Sequence, residues 1–278
     1  MSPASPRLST LPVGAVELAV EEAGDGPVIV LAHGLTATRR YVVHGSRLLE
    51  RTGHRVVAYD ARGHGDSSPA PDARAYEYRD LVGDLEGVLD GLGIERAVFV
   101  GASMGAATTL ALALEQPDRV AALVQVTPAH LGLPQEDPRA LERWDALADA
   151  LEREGTEGFM HAYGDPPVAD RFKGLILQAI RQRIERHRHP EAVANALRVV
   201  PRSKAFDGPG ALEEVDVPTL VVASRDGLDP EHPYSVAEAY AERIPDAELV
   251  AEDEGSSPLA WRGAQLSKAI LSFVERKT

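Results

Sequence analysis

One five-residue pattern constrains the fold of this chain more than any other: residues 101–105 read GASMG. The apolar run 97–100 (AVFV) precedes it, and a stretch of small and apolar residues typical of a helix follows it. Glycines on both sides of the serine allow a sharp turn from strand to helix, which exposes the serine hydroxyl at the helix N-terminus. The pattern therefore predicts a strand–turn–helix unit with Ser103 as a nucleophile.

Along most of the 278 residues, short apolar runs rich in Val, Leu and Ile alternate with helical patterns. This alternation predicts an α/β protein in which a parallel sheet is covered by helices on both faces. The predicted strands cover residues 16–21, 28–33, 55–59, 97–101, 120–126, 219–223 and 248–251. The predicted helices cover residues 41–51, 78–92, 104–116, 234–243 and 260–275.

The alternation is interrupted by about ninety residues without a strand pattern, between residues 126 and 219. They favour three helices punctuated by prolines, at residues 138–154, 168–187 and 190–200. Ligands of open α/β sheets bind at the carboxyl ends of the strands, where such an insertion would lie. We therefore predict a core of residues 1–127 and 213–278 and a helical cap of residues 128–212. The cap histidines are expected to face solvent or the cleft: His161, His187 and His189.

Residues 31–36 (LAHGLT) end the second predicted strand with a glycine, which allows a backbone amide to face a developing oxyanion. The two amides expected to do so are those of Leu35 and Met104. We expect His33 to brace this loop rather than to act as a base.

Residues 59–67 (YDARGHGDS) predict a tight loop after the third predicted strand. We expect Asp60 and Arg62 to pair with each other. His64 is a catalytic candidate by residue type only, and a structural role is favoured.

Taken together, these segments resemble the α/β-hydrolase superfamily with its helical cap, over nearly the whole chain. The resemblance implies a mostly parallel eight-stranded sheet flanked by helices, with the cap inserted. It also implies a catalytic acid after strand 219–223, where Asp226 matches the family position best and Asp229 is the alternative. The family's histidine follows the last strand in a pattern like G-H-x-P. Residues 254–258 here read EGSSP, so Ser256 occupies that position.

Ser256 matters because a hydroxyl cannot hold a proton at neutral pH as imidazole does. Loss of the base from a Ser-His-Asp unit can lower kcat by roughly a million-fold. His232, on the loop that carries the expected acid, and His130, at the entry to the cap, are the candidates for a substitute base. The other hypothesis is that no histidine serves.

Composition excludes several classes of function. The formal net charge of −14 argues against nucleic-acid and anionic-membrane surfaces, and the lack of cysteine excludes disulfides and thiolate catalysis. No apolar run is long enough to span a bilayer and no signal peptide is evident, so a cytoplasmic protein is expected. No ligand spacing or dinucleotide fingerprint indicates a metal or a cofactor.

These features predict an enzyme that acts on a small to medium, fairly apolar carbonyl compound. By resemblance, the substrate is a carboxylic ester, thioester or lactone, with Asp226 supporting whatever group acts as the base. Two alternatives stay open: a non-hydrolytic enzyme of the same fold (C–C cleavage, elimination or proton transfer), and a catalytically impaired ligand-binding protein. A small molecule is the expected partner, without nucleic acid or membrane, and a homodimer is left open.

Overall fold

A computed structural model describes residues 6–167, 170–225, 232–252, 261 and 263–278. Three residues singled out from the sequence lie outside these ranges: Asp226, Asp229 and Ser256.

Eight strands form one mixed sheet in the order β1-β2-β4-β3-β5-β6-β7-β8. They are β1 (Arg7–Val13), β2 (Val16–Ala23), β3 (Val28–Ala32), β4 (Arg55–Tyr59), β5 (Ala97–Ala102), β6 (Val120–Val126), β7 (Thr219–Ala223) and β8 (Ala247–Ala251). The β1–β2 and β2–β4 pairs are antiparallel, whereas every pair from β4 to β8 is parallel. The mostly parallel eight-stranded sheet is therefore confirmed.

The structure describes eight α-helices, five of which cover the two faces of the sheet. They are α1 (Leu48–Arg51), α2 (Tyr78–Gly91), α3 (Met104–Glu115), α4 (Pro138–Tyr163), α5 (Asp170–Ile184), α6 (Pro190–Val199), α7 (Tyr234–Arg243) and α8 (Gly263–Lys277). Side chains of α2, α3 and α7 form an apolar cluster on one face, and those of α1 and α8 form a second on the other. The central strands have almost continuously apolar sequences because both of their faces are buried.

Two elements near the N-terminus differ most from the sequence prediction. β1 was not predicted: it is an edge strand that contains Pro12, and only some of its side chains contact the core. The predicted helix 41–51 is wrong in its first half, because helical structure there is limited to a 3₁₀ turn at Arg39–Tyr41 and to α1. His44, expected on that helix, instead has a positive φ of 47°.

The segment between β6 and β7 contains α4, α5 and α6, which share an apolar cluster with one another. Ala192 and Ala196 of α6 also pack with Met104, the first residue of α3, and with Tyr76 before α2. The helical segment therefore rests on the sheet at the point where β5 turns into α3. In the described part of the chain, no helix is long and apolar enough to cross a membrane.

Candidate active site

Ser103 lies in the turn between β5 and α3 with a φ of 52° and a ψ of −112°, which is rare for a residue with a side chain. The flanking glycines make this turn possible. A Cβ atom on Gly101 would lie 2.3 Å from the Gly105 carbonyl oxygen, and one on Gly105 would lie 2.1 Å from the Ala32 oxygen at the end of β3. Backbone packing between β3, β5 and α3 therefore requires glycine at both positions.

The Ser103 hydroxyl makes no hydrogen bond with any residue that the structure describes, and the residue is half-buried. Its neighbour across the turn is Gly34, where a Cβ atom would lie 3.4 Å from Ser103 Cβ and 3.9 Å from Ser103 Oγ. The loop that follows β3 therefore borders the hydroxyl directly.

The two amides expected to face an oxyanion are also unoccupied within the described ranges: neither Leu35 N–H nor Met104 N–H donates a hydrogen bond. Met104 is the first residue of α3, so its amide has no acceptor within the helix. A helix N-terminus also attracts negative charge. The Ser103 hydroxyl and the Leu35 and Met104 amides therefore all lack a hydrogen-bond partner among the described residues.

Three buried histidines pack side by side beneath the loop after β3. The rings of His33 and His64 are 5.2 Å apart, and those of His64 and His187 are 5.4 Å apart. His33 Nε2 accepts the Ala61 amide at 2.9 Å, so we assign its proton to Nδ1, which donates to the Gly34 carbonyl at 2.8 Å. The expected bracing role of His33 is confirmed.

His64 has a carbonyl oxygen beside each ring nitrogen: Arg62 O is 2.9 Å from Nδ1, and Leu35 O is 2.6 Å from Nε2. Both partners are backbone groups and the side chain is fully buried, which fits the structural role favoured from the sequence.

His187 joins the helical segment to both loops. Its Nδ1 accepts the Gly65 amide at 2.9 Å, and its Nε2 donates to the Thr36 carbonyl at 3.3 Å. The expectation that His187 faces solvent or the cleft is wrong, because its ring packs against that of His64 and only 8% of the residue is exposed.

Burial disfavours the charged form of these imidazoles. Burial, together with the neighbouring His64, lowers the pKa of His33 well below 6.5 and that of His187 to about 3. Burial also lowers the pKa of His64, although its two carbonyl partners oppose that shift. A neutral ring supplies one donor and one acceptor, which is the pattern that His33 and His187 use.

The predicted pair of Asp60 and Arg62 is wrong. Asp60 instead accepts hydrogen bonds from the backbone amide and the guanidinium of Arg39, in the loop after β3. Arg62 makes a two-point contact with Asp84 of α2, with both N···O distances 2.7 Å. Each buried carboxylate thus meets a cation from another element, and the Arg39 pair ties the loop after β3 to the loop after β4.

The structure does not bring His130 to Ser103 through a hydrogen bond. His130 Nδ1 accepts the Gly132 amide at 3.0 Å, and Nε2 lies 2.9 Å from the Tyr78 hydroxyl. Both ring nitrogens are therefore occupied, and burial lowers the pKa of His130 to about 4. His232 lies in the turn before α7, two residues from the start of that helix.

The family described as alpha/beta hydrolase fold matches residues 27–262. The chain belongs to the α/β-hydrolase fold family. The chain is 42% identical over 107 residues to the sn-1-specific diacylglycerol lipase ABHD11 of Mus musculus, a match that covers 38% of this chain and 34% of the lipase. The chain aligns with little more than a third of the length of the first curated relatives it matches.

Two other similarities extend over nearly the whole chain. RutD of Variovorax paradoxus (strain S110), a carbamate hydrolase by provisional assignment, is 27% identical over 254 residues, covering 91% of this chain and 93% of that protein. The solved enol-lactonase from Burkholderia xenovorans LB400 superposes with a TM-score of 0.76 at 25% identity, covering 96% of this chain and 100% of the lactonase.

Proposed function

We propose that this protein hydrolyses a small to medium, fairly apolar carboxylic ester, thioester or lactone through an acyl-enzyme on Ser103. The observation that carries the proposal is the turn itself. Ser103 has a strained backbone, and its hydroxyl has no protein partner among the described residues. The Leu35 and Met104 amides likewise donate no hydrogen bond to a described residue. The lactonase similarity supports the carbonyl substrate class.

In this mechanism, Ser103 Oγ attacks the substrate carbonyl carbon while a base takes the hydroxyl proton. The Leu35 and Met104 N–H groups donate to the oxyanion of the tetrahedral intermediate, and Asp226 supports the base. Collapse of that intermediate breaks the bond to the alcohol or thiol, which takes the proton held by the base. Water, activated by the same base, then hydrolyses the acyl-enzyme and frees Ser103. The Leu35 side chain packs against clusters that contain Met104, α6 and α4, which favours an apolar acyl group. We further propose that residues 128–212 act as a cap over this site.

The base is the unusual part of the proposal. Because Ser256 stands where the superfamily resemblance implies histidine, a histidine from elsewhere must serve, or hydrolysis is slow. Both nitrogens of His130 are occupied by Gly132 and Tyr78, so His130 would have to give up a hydrogen bond to act as the base. His232, on the loop that carries the expected acid, is the other candidate.

Labelling with a fluorophosphonate probe and turnover of an aryl ester test the nucleophile directly. We expect wild type to form an adduct on Ser103 and Ser103→Ala to lose both the adduct and turnover. Ser235→Ala, which changes an exposed serine on α7, should behave as wild type. Unchanged ester turnover in Ser103→Ala, together with no adduct on Ser103, would contradict the proposal.

Ser256→His tests whether the missing imidazole limits the reaction. If the site is a hydrolase with a weak base, the variant should turn over aryl esters at least tenfold faster than wild type, since imidazole can accept the Ser103 proton. A gain in ester turnover with a loss of a native reaction would instead favour the non-hydrolytic alternative. Ligand-dependent melting shifts without any ester turnover would favour a binding protein.

A further inference from the structure

Three consecutive carbonyls of the loop after β3 each contact one buried imidazole. Gly34 O contacts His33 Nδ1 at 2.8 Å, Leu35 O contacts His64 Nε2 at 2.6 Å, and Thr36 O contacts His187 Nε2 at 3.3 Å. His33 and His64 belong to the sheet-end loops, whereas His187 comes from the helical segment, more than 120 residues later in the chain.

The peptide units of this loop form a continuous chain of hydrogen bonds. His187 donates to the carbonyl of Thr36, and the same peptide unit carries the Ala37 amide, which donates to the Gly34 carbonyl at 2.9 Å. The Gly34 peptide unit in turn carries the Leu35 amide, one of the two amides beside Ser103. Each hydrogen bond accepted by a peptide carbonyl polarises that peptide and strengthens the N–H at its other side.

We propose that His187 is a positioning residue for the oxyanion site: through Thr36 and Ala37 it orients and polarises the peptide whose Leu35 amide receives the substrate oxygen. This inference rests on the proposed function only for its catalytic consequence. Its structural part, that His187 holds the 34–37 turn in place, stands independently.

The geometry supports a specific linkage over general packing. His187 uses both ring nitrogens, and its acceptor side is fixed by the Gly65 amide at 2.9 Å, so the ring cannot rotate without losing two hydrogen bonds. Gly65 packs against the Asp60 carboxylate. That carboxylate also accepts the Arg39 amide, which lies at the far end of the loop that contains Thr36. The hydrogen bond from Gly65 therefore fixes the orientation of the His187 ring, and in that orientation Nε2–H points to the Thr36 carbonyl.

Two variants of His187 separate its two hydrogen bonds. His187→Gln retains a donor near the Nε2 position and can still bond Thr36 O, whereas His187→Asn retains an acceptor near Nδ1 for Gly65 and loses the donor to Thr36. Removal of a whole oxyanion donor lowers kcat by about 100- to 1000-fold. Since His187 acts through two peptides, we expect His187→Asn to lower kcat about tenfold with KM nearly unchanged, and His187→Gln to lie within about threefold of wild type.

Hydrogen exchange of the Ala37 amide, measured by NMR, reports on the stability of the 34–37 turn independently of activity. Exchange at Ala37 should be faster in His187→Asn than in wild type and near wild type in His187→Gln. His189→Asn is the matched control, because His189 is on the same segment but pairs with Glu191 near the surface, at 3.5 Å. It should change neither kcat nor exchange.

Unchanged Ala37 exchange in His187→Asn would overturn the inference, as would equal kcat losses in the Asn and Gln variants. A parallel measurement on Ser103→Ala distinguishes the two proposals. If that variant retains full turnover, the proposed function fails, and the Ala37 exchange rates alone then support or overturn the positioning of the loop.

Discussion

Neutral imidazole rings act in this protein as rigid connectors between backbone segments. His33 and His187 each accept from one amide and donate to one carbonyl, and His130 joins the Gly132 amide to the Tyr78 hydroxyl. A protonated ring would lose its acceptor and turn that contact into a repulsive one. The chain therefore holds these histidines neutral through burial, at a cost that appears when the pH falls.

His130 should make stability dependent on pH. Its pKa is about 4 in the folded protein and about 6.5 when exposed, so below pH 6.5 the unfolded chain binds more protons than the folded one. The stabilisation by the neutral ring is complete above pH 6.5 and is lost as the pH falls toward 4. Between pH 7 and 5 it should fall by about 2 kcal/mol, from about 1.4 kcal/mol per pK unit.

Urea unfolding at pH 7, 6 and 5 measures this effect when wild type is compared with His130→Gln. The variant should be less stable at pH 7, and the gap in unfolding free energy between the two proteins should shrink by about 2 kcal/mol at pH 5. His161→Gln, at an exposed position on α4, should follow the wild-type pH dependence. A gap that stays constant with pH would show that His130 is not held neutral.

The sequence predicted the parts of the site that depend on local chain geometry. The GASMG turn and the glycine of the loop after β3 are local patterns, so Ser103, Leu35 and Met104 could be singled out without a structure, although their roles stay predictions. The partners of Asp60 and His187 could not. They depend on contacts between residues far apart in the chain, and a histidine within the charged run 181–188 carries no signal of burial.

At the scale of elements, the start of α3 packs closely against the end of β3. Gly105→Ala would place a methyl carbon 2.1 Å from Ala32 O and 2.9 Å from His33 O, both of them backbone atoms. Because backbone cannot move aside as a side chain can, we expect α3 to shift and the unfolding free energy to fall by about 2–3 kcal/mol. Denaturant unfolding measures the loss, and fluorophosphonate labelling of Ser103 should slow with it.

The matched change in a different helix should have the opposite sign. Gly174 is exposed within α5, and a Cβ atom there would have no heavy atom within 4 Å. Gly174→Ala should therefore stabilise the protein by about 0.5–1 kcal/mol through helix propensity alone. If both substitutions had the same effect, the close packing of α3 on β3 would not be what makes Gly105 necessary.

Element boundaries were predicted best where a strand is buried on both faces. β4, β6 and β7 begin and end at the predicted residues, because central parallel strands are read as apolar runs bounded by polar residues. β1 was not predicted because apolar and polar residues do not alternate clearly along this edge strand. Its Leu11 and Val13 side chains pack on the core above Gly91 and Gly87 of α2. The bend within α4 at Gly155, with a φ of 62°, joins two helical stretches where one shorter helix was predicted.

At the scale of the whole molecule, the helical segment and the sheet share buried surface. α6 contributes Ala192 and Ala196 to a cluster with Met104, and His187 adds hydrogen bonds to the loops at Gly65 and Thr36. Since burial of apolar surface is the dominant favourable term in folding, separating the two parts would expose the start of α3. We therefore expect the segment and the sheet to unfold together.

The two tryptophans of the chain report on the two parts separately. Trp144 lies in α4, and Trp261 donates its Nε1–H to Ala223 O at the end of β7, 2.9 Å away. Fluorescence of Trp261→Phe therefore follows the helical segment, and that of Trp144→Phe follows the sheet. In each variant, the urea transition followed by fluorescence should coincide with the one followed by far-UV circular dichroism, as in a two-state protein. A Trp144 transition at lower urea than that of the backbone would mean that the segment detaches first. In that case His187 could not hold the 34–37 turn under conditions that leave the sheet intact.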